Sequence, residues 1–167
     1  MVNTDFESRY FSVPVANGCL GLMPSKTPLG LKSVMLSNVY DGKSRHGVSR
    51  IAVGLNPFAL RLSVDGAPVT AENATQRVQT LDMRRAWFGD RFTVGGKAKV
   101  DWTIRALREL PYAALVSVEV QALQDMRLGV EGLIIEPKAF ARQDSSVITR
   151  HIGTTPYQIR LLRAKTP

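Results

Sequence analysis

Apolar and polar residues alternate one by one along most of this chain. Between Ala98 and Ala106 one phase holds Ala98, Val100, Trp102, Ile104 and Ala106, and the other holds Lys99, Asp101, Thr103 and Arg105. Successive side chains of a β-strand point to opposite faces, so this spacing predicts a strand with one dry and one wet side. The alternation returns at Ala114, Val116, Val118 and Val120 against Ser117, Glu119 and Gln121. It returns again at Met126, Leu128 and Val130 against Arg127 and Glu131, and at Tyr157, Ile159 and Leu161 against Gln158 and Arg160. Leu60, Leu62 and Val64 against Arg61 and Ser63 make an earlier, shorter copy.

Turn chemistry falls between these runs. Asp65-Gly66 supplies residues that tolerate positive φ in a tight hairpin, and Gly95-Gly96 does the same after Phe92 and Val94. Tyr40-Asp41-Gly42 closes an apolar run over 34–39, and 107–111 and 123–125 read as connections. No window of helical length has apolar residues at three-four spacing; the nearest, 82–87, is too short. The reading is all-β: a single antiparallel β-sandwich domain over residues 1–167.

Composition narrows the chemistry. The net charge of +8 raises nucleic acid as a partner, but the basic residues recur singly, as on solvated strand faces, and Arg84-Arg85 is an isolated pair. A nucleic-acid partner is therefore set aside. No apolar stretch is long enough to span a bilayer, and residues 1–10 carry Asp5 and Glu7 in place of an apolar signal core. The compartment stays open between cytoplasm and export. One cysteine, Cys19, forms no internal disulfide and reads as a small packed side chain, while His46 and His151 lack partners at metal spacing. No metal and no cofactor is expected.

Familiar catalytic motifs are missing. Gly42-Lys43-Ser44 looks like the end of a phosphate loop, but Ser37 stands where its first glycine belongs and no helix follows. Glu72, Asp82 and Asp90 read as turn carboxylates, with nothing to bring two of them to the separation sugar hydrolysis uses. Trp102 is expected in the core. Trp87 and Phe88, read as lying in a loop, are the better candidates for stacking on a sugar or docking on another domain. No catalytic residue is expected.

Four segments, taken in order, resemble the amino-terminal domain of family 65 glycoside hydrolases, which include maltose, trehalose and kojibiose phosphorylases. Val15-Ala16-Asn17-Gly18-Cys19-Leu20-Gly21 resembles the opening G-N-G-Y-L-G, with Ala16 and Cys19 as departures. Ser37-Asn38-Val39-Tyr40-Asp41 resembles x-G-V-Y-D, and the hairpin from Asn56 to Gly66 resembles P-x-W-x-x-L-R-x-x-I-D-G. Gln79-Thr80-Leu81-Asp82-Met83-Arg84-Arg85-Ala86 resembles x-x-L-D-L-R-x-G. The match covers residues 11–130 and fades beyond Ile134. It implies a sandwich of the galactose-mutarotase-like kind, truncated or compact, beside an (α/α)6 barrel that holds the catalytic carboxylate. In such a parent the sandwich supports the barrel and contributes dimer contacts. The docking candidates are then Tyr40, Asp41, Trp87 and Phe88, with the loops 24–31 and 40–50. A free-standing carbohydrate-binding module is the alternative reading.

Overall fold

Alternation punctuated by tight turns yields strands throughout, with no helix among the described residues. The computed structural model describes residues 1–6, 10–41, 50–136 and 141–165, and side chains for 1–6, 10–40, 51–136, 146–151 and 153–154. The strands are β1 (Val2–Asn3), β2 (Val15–Ala16), β3 (Leu20–Pro24), β4 (Leu31–Asp41), β5 (Arg50–Val53), β6 (Asn56–Val64) and β7 (Ala67–Pro68). They continue with β8 (Ala74–Asp82), β9 (Trp87–Val94), β10 (Ala98–Ala106), β11 (Ala114–Ala122), β12 (Leu128–Ile135), β13 (Ala141–Ile152) and β14 (Thr155–Lys165).

One layer is a five-stranded antiparallel sheet in the order β1-β8-β9-β10-β11. Facing it are a four-stranded sheet, β2-β3-β4-β5, and a three-stranded one, β12-β6-β7. The chain crosses between layers at 123–127, so β11 and β12 are both outermost strands. β13 and β14 pair with each other as a separate hairpin.

The core lies where the alternation puts it. Ala98, Val100, Trp102, Ile104 and Ala106 are all buried on the inner face of β10, which lies between β9 and β11 in the larger sheet. Leu20, Leu22, Val34, Leu62 and Val64 of the facing layer join them in one apolar cluster. Phe88 meets Trp102 edge to face, centroids 6.0 Å apart and planes at 74°. Both turn readings hold: Asp65 and Gly66 take φ of 52° and 81°, and Gly95 and Gly96 take 52° and 69°.

Three expectations are corrected. Trp87 and Phe88 are not in a loop; they begin β9, pairing with Asp82 and Leu81 of β8 across a turn at 83–86. Asp90 is no turn carboxylate, but sits within β9 at 1% exposure. Leu128 and Val130 belong to the core-facing phase of β12, paired with Val64 and Leu62, yet Val130 is 60% exposed. Both lie on β12, an outermost strand of its sheet.

Candidate functional site

The register of the strands brings several loops to one end of the sandwich. Asp82 pairs with Trp87 and Trp87 with Arg105, so the turn 83–86 lies beside the end of β10 and the loop 107–113 that follows. Asn17, in the turn between β2 and β3, ties the other layer to this end. Its Nδ2 donates to the carbonyl of Leu107 at 2.6 Å and of Pro111 at 3.0 Å. Its Oδ1 accepts from the N–H of Cys19 at 3.0 Å and of Leu20 at 2.8 Å, which closes its own turn. The Ser37 N–H donates to the carbonyl of Cys19, and β4 then runs past that turn to Tyr40, which pairs with Ile51 of β5. An Asn carries both donors and an acceptor on one short side chain, and this position uses both kinds.

At the opposite end an ion-paired turn stands beside the exposed Leu123 and Leu128. The Asp65 carboxylate accepts from the Arg127 N–H at 2.8 Å and from the Lys97 ammonium at 2.5 Å. The backbone donor at Arg127, and then Lys97, hold this carboxyl below the ordinary carboxylate range.

A charged network lies within the sandwich. The Arg77 Nε and Nη2 donate to the Asp90 carboxylate, at 2.8 Å and 2.5 Å, and Nη1 donates to the carbonyl of Lys26. The Phe6 ring covers the guanidinium, 4.4 Å from Cζ to centroid. Burial pushes the Asp90 carboxyl above its ordinary range, while Arg77 and Gln79 pull it back. Tyr10, beside the same group, is raised by its own burial. The network fastens the loop 25–30, and with it Phe6 and Tyr10, onto β8 and β9. The sequence signal for it was present: Asp90 shares a phase with Phe88, Phe92 and Val94, where a carboxylate must find a partner.

Beside Tyr10 a cleft of about 400 Å³ is lined by Met1, Asn3, Phe11, Gln79 and Phe88, among others. Among the described residues of its lining, Asp5 is the one carboxylate. Among the described residues no group of three His, Cys, Asp or Glu is placed to hold a metal ion. No helix is long and apolar enough to cross a membrane among them either.

The docking candidates fare differently. Phe88 is buried against Trp102, and Trp87 is half-buried with its ring over Gly89, so the two present no shared exposed face. Tyr40 is 58% exposed. Asp41 ends β4 opposite Arg50; its side chain, and residues 42–49 of the loop 40–50, lie outside the described residues. The loop 24–31 is folded inward, with Leu29 in the core and the Lys26 carbonyl on Arg77. Cys19 is half-buried, and His151 is exposed.

Three of the four resembling segments meet at the end that Asn17 ties together, and the remaining one forms β6 with its hairpin turn. Two antiparallel layers carrying these segments in order give the chain the pattern of the amino-terminal β-domain of family 65-type glycoside hydrolases. Among known proteins it is similar to the kojibiose hydrolase of Flavobacterium johnsoniae, 31% identical over 155 residues, which is 93% of this chain and 22% of that protein. It is similar also to the kojibiose hydrolase of Mucilaginibacter mallensis, 31% identical over 132 residues, 79% of this chain and 20% of that protein. The chain thus spans about a fifth of the length of these curated relatives. No family model matches it.

Proposed function

We propose that residues 1–167 are one non-catalytic β-sandwich domain of a family 65-type enzyme acting on α-glucosides, with kojibiose as the first substrate to test. In this reading the domain supports a separate (α/α)6 catalytic barrel and contributes to dimer contacts. The observation that carries it is the partial match: similarity across 93% of this chain reaches 22% of a kojibiose hydrolase. Asp90 is already engaged with Arg77 inside the sandwich.

The test compares the 167-residue chain with the full-length parent, using kojibiose, maltose and trehalose with and without phosphate. The chain alone is expected to release no glucose from any of them. The parent is expected to cleave at least one, and to lose soluble activity when residues 1–167 are deleted. Turnover by the chain alone, or a fully active parent without these residues, would overturn the reading.

A further inference from the structure

The two ends of the sandwich differ in chemistry. At the end gathered by Asn17, Met83 is 75% exposed and Tyr112 64%, with Leu110, Tyr40 and Ile51 also exposed. These side chains come from both layers, yet the pairing of Asp82 with Trp87, of Ala106 with Ala114 and of Tyr40 with Ile51 brings them to one end. Single exposed apolar residues are ordinary, whereas a cluster drawn from separate loops marks a contact surface. At the opposite end Leu123 and Leu128 are exposed, but beside Asp65, Lys97 and Arg127, which bond to one another.

Charge gives the cluster a rim. Arg84, Arg85 and Arg108 are exposed in the same loops, against Glu109 and Asp82; Asp82 accepts the Arg85 N–H and stands 3.8 Å from its guanidinium, which leaves Arg84 and Arg108 as the stronger basic members. A basic rim around an apolar centre fits a surface with an apolar centre and an acidic rim.

The geometry points to this end as the seat for the rest of the parent polypeptide, whose contacting face would be apolar at its middle and carboxylate-rich around it. The occupant follows from length: about four-fifths of each relative lies outside the matched part, enough for a large neighbouring body on the same chain. Asn17 is then a positioning residue, because it fixes the β2–β3 turn to the loop 107–113 and so sets the shape of the seat. The inference rests on the proposed role as a supporting domain and adds the surface through which support is given.

Hydroxyl-radical footprinting with mass spectrometry tests it, on the 167-residue chain and on the full-length parent, with glucose release measured on the same parent sample. Labelling of Met83, Leu110 and Tyr112 is expected to fall at least about fivefold in the parent, while Leu123 and Lys97 at the far end keep theirs. The double charge reversal Arg84→Glu with Arg85→Glu is expected to restore labelling of Met83 in the parent and leave the 167-residue chain equally stable. Unchanged labelling of Met83 and Tyr112 in an active parent would overturn the seat while sparing the supporting role. Protection at these residues in the isolated chain, together with a dimer on sizing, would also overturn it, in favour of a second copy. Protection of the seat in a parent that cleaves no α-glucoside would sustain the seat and remove the enzymatic reading.

Discussion

Asp90 occupies a phase of β9 otherwise held by Phe88, Phe92 and Val94, and it is tolerated there because Arg77 meets it with two nitrogens. Breaking a buried pair from one side strands the other charge, which typically costs about 3–5 kcal/mol, whereas removing both can be neutral. Asp90→Ala is therefore expected to lower the unfolding free energy by about that much. Combining Arg77→Met with Asp90→Leu should return most of the loss, as read by urea titration. Asn17 makes a different demand, since its amide serves two loops at once. Asn17→Ala should cost about 1–3 kcal/mol and speed hydrogen exchange at the amides of Cys19 and Leu20. Gly89 lies under the Trp87 ring, and the Cβ of an alanine would overlap it. Gly89→Ala should shift the tryptophan emission to the red as the ring swings outward, while Trp102, buried in the core, keeps its own emission.

Turns and strands differ in how openly the sequence declares them. Gly95-Gly96 and Asp65-Gly66 could be read directly, because few residues accept positive φ and these do. β10 was equally open: nine residues alternate without interruption, and its inner face is dry throughout. Trp87 and Phe88 misled because the residues before them, with Ala86 at φ of 53°, look like loop, and the pairing to β8 depends on partners in another strand. Asp90 declared its need for a partner by its phase, but that the partner is Arg77 was hidden for a related reason. The contact joins two strands, and a bulge at Gln76, φ 51°, changes which residues of β8 point inward. Leu128 and Val130 misled in the opposite sense, since alternation assigns a phase to a strand without saying what stands across from it.

At the same scale, the Asp65 turn yields a pH dependence. Its folded carboxyl is held low, first by the Arg127 N–H and then by Lys97, so its contribution is present above the ordinary Asp range and fades as pH falls through the lowered folded value. Asp65→Asn keeps an acceptor and still tolerates positive φ. The variant should melt below the parent sequence at pH 7, and the gap should close as the pH falls through the lowered folded value. A gap that persists at low pH would assign the loss to geometry and not to charge.

Taken whole, the molecule is sealed through its middle and, among the described residues, open along one side. Val100 is wholly enclosed, and Val100→Ala should cost about 1–3 kcal/mol. Val130→Thr, at an exposed position of the outermost strand β12, should stay within about 0.5 kcal/mol, and paired urea titrations would separate the two. The open side has a further result. β11 presents nine residues with a sheet neighbour on β10 alone, among the described residues, and so carries a row of amides and carbonyls facing outward. Such a row templates intermolecular strand growth, and here valines stand at every second position from 116 to 120. Concentrated solutions of the 167-residue chain should accordingly form thioflavin-positive fibrils after a lag that shortens with protein concentration.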